Sequence, residues 1–292
     1  MKKDLQKRAS RVSLLVATPP AVLMLIFFFA PIVVIAIFSF QTGENFVIGE
    51  PWTTGNYDSA LTLGVNRTMA WNSIVTGFLT AGVTVGLGLP IAHWLRFSAG
   101  RWATPVLSLV VASMFAGYLV RIYAWRTILG RNGVLNSALE SANVIDEPLE
   151  FLIFNRTSVI IAELHLALPF AIVILYAAMR PIRPDLLEAA DDLGAGPIVQ
   201  WTKVVLPLMA APMASAWMFV FIISSSDFVT PQFLGGPRGQ LLGTQINRYF
   251  REAGAYGKGG ALAIVMILFY ALLYVGIQLI LRKLKLNRVE WG

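Results

Sequence analysis

The stretch Leu14–Phe40 contains no charged residue, and Thr68–Leu95 contains no ionisable side chain apart from His93. An α-helix crosses the hydrocarbon core of a bilayer with about 20 apolar residues, and buried helices of soluble domains rarely stay apolar for so long. With no water to satisfy backbone N–H and C=O groups, a segment in lipid must close its hydrogen bonds internally, as a helix does. These two stretches commit the chain to a membrane. Of its 292 residues only 13% are charged, about half the share of a soluble domain.

The same hydropathy reading predicts six spans, at 14–40, 69–95, 102–122, 157–179, 208–228 and 260–282. The segments 1–13, 96–101, 180–207 and 282–292 hold fourteen Lys and Arg, whereas 41–68, 123–156 and 229–259 are together longer and hold eight. Basic residues gather on the cytoplasmic side, so both termini are expected in the cytoplasm. The apolar stretch behind the basic N-terminus is too long for a signal peptide and lacks a small-residue cleavage site, so it is read as a retained span. The net charge of +7 is concentrated in "MKKDLQKRASR" and "RKLKLNR", which flank spans as membrane anchors and argue against a nucleic-acid partner. The expected architecture is an all-α integral membrane protein of about six transmembrane helices. A cytoplasmic N-terminus (1–13) precedes a six-span domain (14–282) with a long cytoplasmic loop at 180–207, and a cytoplasmic tail (283–292) follows.

Several chemistries are excluded. The absence of cysteine rules out disulfides and thiolate metal sites. Neither HExxH nor GxSxG occurs, and the two histidines, His93 and His165, have no neighbour at metal-ligand spacing. GxxxxGK[ST] is also missing, since the lone Gly-Lys pair, Gly257-Lys258, is followed by Gly259. The chain is therefore not expected to be an enzyme, to hydrolyse ATP, or to carry a cofactor or metal.

Smaller features set local expectations. Gly82 and Gly86 form a GxxxG, with Gly88 beside it, and are expected to pack spans together within the subunit, the alternative being a subunit interface. "GNYDSALTL" (55–63) and "GVLNSALESANVI" (133–145) have the apolar spacing of short helices. Asn66-Arg67-Thr68 and Asn155-Arg156-Thr157 match a glycosylation sequon but abut span ends and carry no weight.

The loop at 180–207 is the most specific part. Pro184 suits a first helical turn, Asp185, Glu188 and Asp192 share one face, and Leu186, Ala189, Ala190 and Leu193 share the other. Gly194 and Gly196 should end this helix, and Pro197 should start a second with Ile198, Trp201 and Val205 on one stripe. Pro207 is expected to redirect the chain into the fifth span. Asp191 and Asp192 sit at the helix C-terminus, where the dipole disfavours them, which suggests a basic partner surface.

Glu188-Ala189-Ala190, three residues, Gly194, nine residues, then Val204-Val205-Leu206-Pro207 resembles the EAA signature of permease subunits of binding-protein-dependent ABC importers. The one departure is Val204 for isoleucine. "LVRIYAW" (119–125), "LPFAIVILYAAMRPI" (168–182) and "SDFVTPQFLGG" (226–236) look like the first permease subunit of spermidine/putrescine importers. The resemblance implies a type I (MetI-like) permease of the bacterial inner membrane. Its implied partners are a second permease subunit, two ATPase subunits that bind the ATP, and a periplasmic solute-binding protein. Glu188, Ala189, Ala190 and Gly194 would dock the ATPase, with Leu206 and Pro207 completing the motif. Glu163 and His165 stand near where an aromatic often precedes the Leu-Pro-Phe. The cargo thus stays open between polyamine-like cations and opine or amino-acid derivatives. A self-sufficient secondary transporter would have no need of the EAA element.

Besides His93, the ionisable residues singled out within spans are Arg121, Glu163, His165 and Asp227. Charge in lipid is costly, so they should face protein or water. One expectation is an outer gate in which Arg121 bridges one acid and the other meets the solute. The alternative is that Arg121 reaches for the interface and Asp227 caps a helix.

Overall fold

The computed structural model describes residues 2–43 and 49–286. In chain order the elements are α1 (Lys2–Ser39), the strands β1 (Gln41–Thr42) and β2 (Gly49–Trp52), α2 (Gly55–Thr62) and α3 (Gly64–Phe97). Then come α4 (Ala103–Met114), α5 (Tyr118–Leu129), α6 (Val134–Ser141), α7 (Arg156–Met179), α8 (Asp185–Asp192) and α9 (Pro197–Gln200). The chain closes with α10 (Leu206–Ser226), α11 (Leu242–Arg251) and α12 (Tyr256–Lys283). The two strands pair antiparallel. The short helices expected at 55–63 and 133–145 are α2 and α6.

Five helical stretches are long and apolar enough to cross a membrane: Thr18–Ser39, α3, α7, Pro197–Ser226 and α12. The third expected span, 102–122, is not one straight helix. Gly100–Met114 and Tyr118–Ser141 meet at 93°, because Gly117 adopts an extended conformation (φ −55°, ψ 135°) that interrupts the helical ladder.

The fifth span also departs from expectation. Pro207 does not redirect the chain, since one helix runs from Pro197 to Ser226. Residues Trp201–Val205 form a π-helical turn in which the Leu206 N–H reaches the Trp201 carbonyl. This widened turn immediately precedes Pro207, whose ring has no N–H to donate and would crowd the carbonyl four residues back in a regular helix.

The chain divides into two compact units, one of residues up to 62 with 248–267, the other of 63–247 with 268 onward. In the first, the Asn56 amide donates to the carbonyls of Ser39 at 3.0 Å and Gln41 at 2.9 Å, tying α2 to the end of α1. In the second, α3, α7 and α10 pack together. Leu89, Leu175, Met179, Val205 and Met209 form one apolar cluster. Ala81, Ala167, Ala171 and Phe221 belong to another.

Small residues set how closely these helices approach, but not those expected. A Cβ on Gly77 would lie 2.8 Å from the Ser225 Cβ and 3.0 Å from the Phe221 ring, and one on Gly88 would lie 3.4 Å from Leu175. Gly82 and Gly86 are exposed with nothing within 4 Å of such a Cβ. The packed face runs through Gly77, Ala81, Thr84, Val85, Gly88 and Ala92 at three- and four-residue steps. The GxxxG pair lies one residue, roughly 100° of helix rotation, off that face.

α7 starts from a capping box. The Asn155 side chain accepts the N–H groups of Thr157 at 2.7 Å and Ser158 at 3.1 Å. The tripeptide that reads as a sequon is thus a helix N-terminus.

Candidate coupling loop and translocation cavity

The EAA segment stands on a fixed root. Arg96, in the last turn of α3, donates from Nη2 to the Ile182 carbonyl at 3.0 Å, and Ile182 belongs to the α3–α7–α10 cluster. From this anchor α8 projects outward with Leu187 packed against the cluster. It ends as the glycine spacing predicts: the Ala195 N–H bonds the Ala190 carbonyl at 2.9 Å and the Gly194 N–H bonds the Asp191 carbonyl at 2.8 Å. This pair of bonds is a Schellman closure, which needs a left-handed residue at its centre. Gly194 supplies it with φ +78°.

α9 then leads into the π turn, where the Trp201 ring packs on His93 at 4.5 Å between centroids and Val205 is buried. His93 thus serves packing, flanked also by Phe97 at 4.9 Å. The six motif residues part company by position. Glu188, Ala189 and Gly194 are exposed and Ala190 is half-buried, whereas Leu206 packs on the cluster and Pro207 is half-buried at the foot of α10. The tip is apolar as well as acidic, with Leu193 88% and Ile198 79% exposed. Asp185 pairs with Arg183, and Gln200 reaches Asp191. Among the described residues, Glu188 and Asp192 have no ion pair.

The four ionisable residues singled out as pathway candidates fall into two places. Arg121, Glu163 and Asp227 line one cavity of about 430 Å³, bounded by the α4–α5 break, α7 and the end of α10. His165 does not. It is two residues, about 200°, around α7 from Glu163, and its Nδ1 accepts from the Trp125 indole at 3.2 Å.

Arg121 does not bridge an acid. Its Nη2 donates to the carbonyls of Met114 at 3.0 Å and Ala116 at 2.7 Å, and its Nε donates to Ala116 at 3.2 Å. These carbonyls lose helical partners where α4 stops, so the guanidinium closes the break that turns the chain by 93°. Asp227 caps the segment after α10, accepting from the N–H groups of Val229 at 2.9 Å and Thr230 at 3.1 Å, and from the Tyr118 hydroxyl at 2.6 Å.

Glu163 is the exception. It is 4% exposed, and neither carboxyl oxygen meets a donor at good hydrogen-bond geometry, although the Ser224 hydroxyl and the Asp227 carboxyl are its polar neighbours. Ser224, 1% exposed, likewise makes no well-formed hydrogen bond through its hydroxyl and lines the same cavity. Sequence reasoning missed Ser224 and Tyr118. The available signal was spacing, since each precedes a selected residue, Asp227 or Arg121, by three positions and so shares its helix face.

No family model matches the chain. The spermidine/putrescine transport system permease protein PotB of Haemophilus influenzae is 29% identical over 270 residues, covering 90% of this chain and 93% of that protein. The inner membrane ABC transporter permease protein YdcU of Escherichia coli is 31% identical over 202 residues, covering 64% and 63%. A chain of the crystallised bacterial alginate ABC transporter, solved with an alginate pentasaccharide-bound periplasmic protein, superposes with a TM-score of 0.74 at 17% identity, covering 97% of both chains. Over most of its length the chain is thus similar to permease proteins of ABC transport systems. It shares the multi-helix fold of the alginate-transporter chain. In this chain the segment that resembles the EAA element is the exposed hairpin α8–α9.

Proposed function

We propose that this permease forms, with a second permease subunit, the path for a small organic cation of the polyamine type. A periplasmic binding protein delivers the solute and two ATPase subunits drive the cycle. The observation that carries the coupling role is the α8–α9 hairpin: a rigid, glycine-closed projection whose tip exposes Glu188, Ala189, Gly194, Leu193 and Ile198. Apolar side chains beside unpaired acids suit a partner socket with an apolar floor and a basic rim. Glu188 pairs there with a basic residue, Ala189 and Ala190 allow close seating, and Leu206 with Pro207 roots the motif in α10. ATP is held by the partner.

The hairpin and both termini lie in the cytoplasm, and segments 41–68, 123–156 and 229–259 face outward, as the split of basic residues supports. The polyamine-type cargo is supported by the relative named for spermidine and putrescine. Arg121, Glu163 and Asp227 belong to the solute path, while His165 supports it through Trp125. Affinity purification of the tagged permease from its native membrane tests this reading: an ATPase and a second permease are expected to accompany it. Recovery of the folded permease alone, under conditions that preserve other ABC importers, would refute it.

A further inference from the structure

We infer that the cavity between the α4–α5 break, α7 and α10 binds the primary ammonium group of an aliphatic amine, with Glu163 and Ser224 as its principal ligands and Asp227 completing the site. This deepens the permease reading on which it rests, because it places a selection step for the cargo inside the membrane subunit.

The argument begins with which polar groups are already satisfied. Arg121, the cation of the cavity, is committed to the Met114 and Ala116 carbonyls. The Asp227 carboxylate takes its donors from Tyr118, Val229 and Thr230. Glu163 and Ser224, both more than nine-tenths buried, have only each other and Asp227 as polar neighbours and make no well-formed bond. A buried carboxyl without a well-aligned donor is expensive, and its two polar neighbours offer it one hydroxyl, on Ser224, and a second carboxyl, on Asp227. The vacant requirement is therefore for a group rich in donors.

Charge narrows the choice. With both carboxyls ionised, one guanidinium and two carboxylates give the lining a formal charge of −1, a state that a bound cation favours and a bound anion opposes. A primary ammonium has three N–H donors, enough for both a Glu163 oxygen and the Ser224 hydroxyl with one left for Asp227. A quaternary ammonium has no N–H and would leave Glu163 as it is. The remaining walls include Leu166, Phe170, Ile223 and Phe228. These suit a methylene chain, and the two aromatic rings add cation–π attraction. The volume of about 430 Å³ lies in the range that small ligands occupy.

The test uses the purified importer, with its partner permease and ATPase but without the binding protein, and reads its melting temperature. Millimolar putrescine is expected to raise it by several degrees, whereas choline and succinate are not. Glu163→Gln should weaken putrescine binding about tenfold or more, Ser224→Ala severalfold, and Glu163→Asp should keep part of the binding. In proteoliposomes Glu163→Gln should cut putrescine uptake by a similar factor while the ATPase stays bound. Equal stabilisation by putrescine, choline and succinate, or by none of them, overturns the inference. So does undiminished putrescine binding in Glu163→Gln. Should that variant fail to assemble, undiminished binding in Ser224→Ala overturns it equally. Absence of a co-purifying ATPase would instead sink the importer reading, and the same putrescine shift measured on the permease alone would still decide the site.

Discussion

Gly194 allows the turn and the seating of the EAA hairpin to be separated. It sits at φ +78°, and a Cβ there would meet nothing within 4 Å. Within the subunit a substitution therefore costs backbone strain alone, about 1–2 kcal/mol for alanine and less for asparagine, which enters the left-handed region more readily. A domain stable by about 5–15 kcal/mol survives that loss, so membrane insertion should persist in Gly194→Ala, Gly194→Asn and Gly194→Asp. Against a closely seated partner, added bulk costs a further ~1–3 kcal/mol, or about 5- to 150-fold in the docked fraction. Strain orders the variants with alanine worse than asparagine, and bulk orders them the other way. We expect the order of bulk: uptake per inserted permease should fall least for Gly194→Ala and most for Gly194→Asn and Gly194→Asp, with the recovered ATPase falling in parallel. Alanine proving worse than asparagine would assign Gly194 to the turn alone. Normal uptake by Gly194→Asp would remove the hairpin from coupling altogether.

Three further outcomes follow from the packing. Arg121→Ala strips the donors from the Met114 and Ala116 carbonyls and should destabilise the permease by about 1–3 kcal/mol, with Arg121→Lys recovering only part; unchanged thermal unfolding of both variants would contradict the role at the break. Gly77→Ala should cost about 1–3 kcal/mol through overpacking on Phe221 and Ser225, whereas Gly82→Ala should leave unfolding of the isolated subunit unchanged or slightly improved; equal losses in denaturation would show that the packed face is misplaced. Cysteine at position 190 of this cysteine-free chain should react with an impermeant thiol reagent only from the cytoplasmic side, and labelling only from outside would invert the topology.

The membrane class and most helices were legible in the sequence because both depend on local properties. An uncharged stretch such as Leu14–Phe40 excludes water-soluble alternatives wherever its neighbours lie. The α8–α9 hairpin was legible for a related reason: Gly194 and Pro197 act within a turn or two of chain, and the Schellman bonds at Gly194 close over five residues. Tertiary structure decided what depends on distant residues meeting. Hydropathy made 102–122 one span, since it registers how apolar a segment is but not that Gly117 interrupts it or that Arg121 can satisfy the freed carbonyls. It could not say which glycines pack, because Gly77 is marked out from Gly82 only by Phe221 and Ser225 opposite it on α10. The cavity needed the fold most of all. Tyr118 meets Asp227 across 109 positions of sequence, and that contact, with the capture of Arg121 by backbone, is what leaves Glu163 as the acid of the cavity with no ion pair and no well-formed bond.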